Sequence, residues 1–149
     1  MTTFSNAAPI STALTIASLS SLGSGAYSAP SSLVDNTAGM MSYLRGMVRL
    51  SFSAALTAGT GAPFITLYRL KAADGSNLPN PPGAAAAAPS PNALQSIRQL
   101  VASGSFLTVD FEPFDLDPFY YGFQIYNNSG VAFSGTVTAT LYRWNVQGA

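Results

Sequence analysis

The sequence predicts an all-β domain, an antiparallel β-sandwich or jelly roll with at most one short helix. Three observations predict it. First, the stretch Tyr43 to Leu56, YLRGMVRLSFSAAL, alternates: Leu44, Val48, Leu50, Phe52 and Leu56 share one face, and Arg45, Met47, Arg49, Ser51 and Ser53 the other. Successive strand side chains point to opposite faces, whereas a helix would scatter the two arginines among the leucines. Second, similar short runs recur along the chain, separated by Gly, Pro, Ser and Asn, the spacing of short antiparallel strands joined by turns. Third, the 149 residues are 48% hydrophobic, enough for one domain with its own core.

Taken in order, Met1 to Pro9 shows little pattern and reads as an arm, which stays disordered unless something ties it down. Thr12 to Leu19 is a candidate first strand with Leu14 and Ile16 on one face, so residues 1–19 form an extended arm or first strand. Residues 20–149 form a single sandwich domain. Ser20 to Ala29 is turn-rich. Ser31 to Asn36 is a short extended segment, and Asp35-Asn36 and Gly39 turn the chain into the central strand. After the loop Thr57 to Pro63, Phe64 to Leu70 is a strand apolar on both faces, which suits a central position. Asp74-Gly75 is a turn signal.

The stretch Asn77 to Pro91, NLPNPPGAAAAAPSP, is a long loop; its alanine run is too short for a stable isolated helix. Asn92 to Ala102 is the one helix candidate. Asn92 can cap it, Leu94, Ile97 and Val101 follow helical spacing, and Gly104 can end it; a single helical turn fits equally. Phe106 to Phe111 returns to strand with Leu107, Val109 and Phe111 on one face. Glu112 to Pro118 is a bend. Phe119 to Tyr126 is a strand, Asn127 to Gly130 a hairpin-type turn, and Thr136 to Val146 the last strand.

Composition limits the chemistry. Charged residues are 8% of the chain with zero net charge, against about 25% in an ordinary soluble domain. A surface so poorly charged suits coverage by partners and offers nucleic acid or anionic lipid no electrostatic grip. No apolar run is long enough to span a membrane. Ala13 to Leu22 is mildly apolar and precedes Ala26-Tyr27-Ser28, but no positive residue leads it and Ser and Thr interrupt it. The expectation is an uncleaved protein made in the cytoplasm.

There is no His and no Cys, so neither a Ser-His-Asp nor a Cys-His device can be built. The one lysine, Lys71, sits beside a turn. Asp110, Glu112, Asp115 and Asp117 form an acidic cluster. It lacks the glycine-bearing calcium loop and any identifiable acid/base pair, although Asp115 and Asp117 could each offer an oxygen. No cofactor or metal is expected, and no catalytic residue. Arg45 and Arg49 suit either cross-strand pairing with an aspartate or contact with an acidic partner. Tyr120, Tyr121, Tyr126, Tyr142 and Trp144 suit core, interface or a sugar-binding platform. The candidate partner-contact residues are Arg45, Met47, Arg49, Tyr142 and Trp144.

The layout resembles small virion structural proteins of tailed bacteriophages, most of all capsid decoration (cement) proteins. The resembling parts are SSLVDN (Ser31 to Asn36) after an Ala/Ser-rich start, the long amphipathic strand, ITLYRLKAADGSN (Ile65 to Asn77), YYGFQIYNNSG (Tyr120 to Gly130) and TVTATLYRW (Thr136 to Trp144). The resemblance implies a non-enzymatic β-sandwich or jelly roll on the capsid surface of the virion. Its partners would be the major capsid protein and copies of itself, as a homotrimer, with no nucleic acid and no membrane. The arm Met1 to Leu19 and the loop Asn77 to Pro91 would lie across neighbouring subunits. The alternative is a tail, fibre or receptor-binding component that recognises glycan through Tyr142 or Trp144.

Overall fold

The structure is a computed structural model and describes residues 9–37, 43–76, 78 and 87–145. The expected arm up to Ala8 and residues 79–86 of the Pro/Ala-rich loop lie outside the described residues. Among the described residues ten strands are present: β1 Ile10–Leu14, β2 Ala26–Tyr27, β3 Val34–Asp35, β4 Arg45–Thr57, β5 Phe64–Ala72, β6 Leu94–Gln99, β7 Ser105–Asp110, β8 Phe114–Asp115, β9 Tyr120–Asn128 and β10 Val137–Trp144. Among the described residues the only helical elements are 3-10 turns at Leu19–Ser21 and Pro91–Ala93.

The strands form two antiparallel five-stranded sheets. Sheet A runs β1-β10-β4-β7 with β8 also on β4; sheet B runs β2-β9-β5-β6 with β3 also on β9. β7 and β8 lie along one edge of β4, and β2 and β3 along one edge of β9. Counting each pair as one interrupted strand, sheet A holds the first, eighth, third and sixth strands and sheet B the second, seventh, fourth and fifth. That order is the two-Greek-key weave of a jelly roll.

Alternation explains the packing. On β4, Val48, Leu50, Phe52 and Leu56 are buried, and on β10 Val137, Ala139 and Leu141. The register sets Leu50 opposite Ala139 and Val48 opposite Leu141. Ile65 and Leu67 of β5 and Tyr121, Phe123 and Ile125 of β9 supply the other layer. These inner faces form one apolar cluster between the sheets, as expected when two half-buried sheets hide their apolar sides from water. β5 does sit centrally, between β9 and β6.

Several expectations are corrected. Asn92 to Ala102 is not a helix: Leu94–Gln99 pairs with Phe64 to Tyr68 as β6. Leu94, Ile97 and Val101 are all exposed, so their helical spacing marks no core-facing stripe, and the ladder with β5 decides the conformation. The first strand spans Ile10–Leu14 rather than Thr12 to Leu19; Ser18 takes φ 58° and the chain turns there, with Leu19 buried in the 3-10 turn. Leu107 does not share a face with Val109: it is 61% exposed, while Phe106 packs on the core. The cause is an irregularity in which β4 places residues 52–55 between the partners of Thr108 and Phe106, and a shifted register changes the face that a side chain takes. Leu44 is 55% exposed because it precedes β4 and the alternation does not bind it.

Two turns also differ. The bend at Glu112 to Pro118 contains β8, whose Phe114 and Asp115 pair with Gly46 and Arg45. Asn127 and Asn128 belong to β9, and the chain beyond crosses to sheet A instead of closing a hairpin. Asn127 is fully buried; its amide donates to Leu22 O at 3.0 Å and Val131 O at 2.9 Å, and its Oδ1 accepts from Ser129 N. A buried amide so satisfied pins the crossing loop to the loop before β2.

Candidate partner interface

The β4–β10 register brings the candidate contact residues together. Arg45 lies opposite Trp144, Met47 opposite Tyr142, and Arg49 opposite Thr140. Directly opposed residues of an antiparallel pair share a face, and the alternate residues Val48, Leu50, Ala139 and Leu141 are buried. Arg45, Met47, Arg49, Tyr142 and Trp144 therefore form one patch on the outer face of sheet A. Ser11 and Ala13 of β1 continue it beside Tyr142 and Thr140, and Thr108 of β7 beside Ser51.

The arginines are held within the patch. Arg49 Nε donates to Asp110 Oδ1 at 2.6 Å and an Arg49 Nη donates to Oδ2 at 2.8 Å, a bidentate pair. The Arg49 guanidinium also lies 5.5 Å from the Tyr142 ring centroid. These hydrogen bonds raise Arg49 and hold the Asp110 carboxyl below the usual carboxylate range, against an opposing push from partial burial. Arg45 Nε sits 3.1 Å from Asp115 Oδ1 in an ion pair without hydrogen-bond alignment. Cross-strand aspartates thus neutralise both arginines in place, and the patch presents apolar and aromatic surface around fixed charge pairs. Met, Tyr, Trp and Arg are the side chains enriched at protein interfaces. Pre-set arginines leave less side-chain freedom to lose on contact.

The acidic cluster is divided. Asp110 pairs with Arg49, Asp115 with Arg45, and Asp117 with Lys71 at 2.5 Å. The Lys71 hydrogen bond holds the Asp117 carboxyl low, and the ammonium lies 4.1 Å from the Phe119 ring centroid. Among the described residues no three His, Cys, Asp or Glu side chains converge as a metal site would need. A pocket of about 200 Å³ is lined by Ala55, Leu56, Thr57, Val131, Ala132 and Ser134, without an acid, a base or an aromatic ring to act on a ligand.

The five aromatics weighed as a platform do not form one. Tyr121 is buried, and its hydroxyl donates to Asp117 O and accepts from Asp117 N. Tyr120 and Tyr126 belong to sheet B, and Tyr142 and Trp144 to sheet A. Sheet B carries a different aromatic group: the Tyr27 and Tyr126 rings are 4.5 Å apart, with Tyr68 and Phe64 beside them. Burial, then hydrogen bonding with Tyr27, pushes the Tyr68 hydroxyl up to about 12. Tyr27 stands in a two-residue strand, too short to show alternation, which is why periodicity alone misses this group.

The described ends of the Pro/Ala-rich loop lie on the chain's own sheet B. Leu78 packs over Gly122, and Gln124 Nε2 donates to Ala87 O at 2.9 Å and to Ser28 O at 2.7 Å. At Leu78 and Ala87 the loop is held against sheet B of its own chain. The chain shows no significant match to a protein-family model, to a curated protein or to a solved structure.

Proposed function

We propose that this chain is a non-enzymatic virion structural protein, a capsid decoration or cement protein that braces a tailed-phage head by bridging neighbouring capsid subunits. Its partners are the major capsid protein and further copies of itself, arranged as a homotrimer on the capsid surface. The observation that carries the reading is the single outer face on which Arg45, Met47, Arg49, Tyr142 and Trp144 meet, its arginines already paired with Asp110 and Asp115. The jelly-roll weave adds to it, since capsid proteins use that architecture. Fold alone assigns no function, so the weight rests on the face. Several modest contacts of this kind, repeated across a lattice, add through multivalency.

The test is rebinding to capsids stripped of the protein. Met47→Asp puts an unpaired carboxylate at the centre of the patch and is expected to lower occupancy at least tenfold, with an unchanged far-ultraviolet circular dichroism spectrum. Occupancy equal to the parent's would remove this face from the interface. A tail or receptor-binding component is the second reading, favoured by Tyr142 and Trp144 lying on the same face two residues apart. Under that reading Trp144→Ala abolishes glycan binding.

A further inference from the structure

We infer that the open edge of sheet B along β6 docks a second copy of this chain, antiparallel about a two-fold axis at Ile97. Among the described residues β6 ends its sheet, with β5 on one side and no strand on the other. Leu100 N–H donates to Pro63 O at 2.9 Å. In an antiparallel ladder the hydrogen-bonding direction alternates, so Arg98 and Ser96 turn their backbone groups toward β5. Those of Ile97 and Gln99 turn outward, ready to receive another strand.

The side chains agree with the backbone. Tyr27 lies opposite Tyr126, Tyr126 opposite Thr66, and Thr66 opposite Ile97. This cross-strand row runs over all four strands and stops at Ile97, which is 54% exposed, next to Leu94 at 48%. Natural edges are blunted by proline, lysine, bulges or a covering segment. β6 contains no proline, its one charged residue is Arg98, and its irregularity falls at Gln95, leaving Ser96 to Gln99 regular.

Charge permits a second copy as the occupant and selects the register. The chain has zero net charge, so two copies approach without long-range repulsion. A two-fold axis at Ile97 stacks the two isoleucines and sets Arg98 against Ser96 of the second copy. Both strands then use their outward backbone groups. An axis at Arg98 would satisfy the same backbone groups but would set two arginines directly opposite, which is destabilising. The contact is isologous and joins sheet B of both copies into one continuous sheet. It is distinct from any three-fold contact and needs no capsid, so its failure leaves the virion reading standing.

The chain has no cysteine, so Ile97→Cys introduces a single thiol. Hydrogen-bonded antiparallel pairs hold their Cα atoms about 5.5 Å apart, within disulfide range. Mild oxidation of the isolated Ile97→Cys protein is expected to give a disulfide dimer, whereas Leu107→Cys, exposed on β7, stays monomeric. In sedimentation, the parent is expected to dimerise with concentration. Ile97→Pro, which removes the outward N–H, and Ile97→Lys are each expected to weaken the dimer at least tenfold with the circular dichroism spectrum kept. A parent that stays monomeric, equal crosslinking at 97 and 107, or a dimer indifferent to Ile97→Lys would overturn the inference. Capture of a foreign extended peptide on β6 of a protein that stays monomeric would overturn it as well.

Discussion

At the scale of single residues, the Arg49–Asp110 pair fixes the candidate face. Its contribution to stability is small, because both side chains keep more than a third of their surface in water, at 36% and 40%. Exposed pairs contribute about 1 kcal/mol or less. The hydrogen bonds from Arg49 lower the folded carboxyl below its ordinary 3.8. A group depressed in the folded state stabilises above its unfolded value and loses that effect as pH falls through the folded one. Asp110→Asn is therefore expected to cost up to about 1 kcal/mol at pH 7 and to converge on the parent at a pH low enough to protonate the folded carboxyl. Urea unfolding at both pH values checks this; an equal cost at both would separate the effect from ionisation.

The inward set Val48, Leu50, Phe52 and Leu56 was legible residue by residue, because side-chain period depends only on local backbone. The aspartate that each arginine would meet was not, since Asp110 lies 61 positions from Arg49 and only the β4–β7 register joins them.

Among the elements, strands whose faces differ chemically were legible, and those with ambiguous faces were not. β4, β5, β9 and β10 stand close to where their alternation places them. β6 failed because an exposed edge strand needs no apolar face, and Leu94, Ile97 and Val101 then mimic helical spacing. β7 failed at Leu107 because the irregularity beside it arises from an excess of residues on β4, invisible from the β7 sequence. The β9–β10 crossing rests on backbone contact: Gly59 N donates to Ser129 O at 2.7 Å, and Gly130 has φ +85°. A Cβ on Gly130 would stand 3.0 Å from Gly59 Cα. Steric contact with backbone and a left-handed φ together predict that Gly130→Ala lowers stability by about 1–3 kcal/mol. Chemical denaturation reads the loss, while Gly61→Ala, which meets no atom within 4 Å, is expected to stay close to the parent.

For the whole molecule, the jelly-roll weave leaves the two sheets in unlike situations. Sheet B has Leu78 and Ala87 laid on its outer side, whereas the outer face of sheet A presents the Arg45–Trp144 patch and, among the described residues, no strand pairs with the far edge of β6. A candidate contact face on sheet A, the edge strand β6 and few charges suit the proposed repeating assembly, in which both surfaces are covered at once. In the sequence the proposed assembly rests only on a shortage of charge; the candidate contact face needed the strand registers to be placed.

Copy number per purified virion, measured against the major capsid protein by quantitative mass spectrometry, tests the assembly claim most directly. A ratio near one to one is the predicted result and is what a decoration lattice requires. A few copies per particle would place the protein at the tail or a vertex, and its absence from the particle would contradict the virion reading.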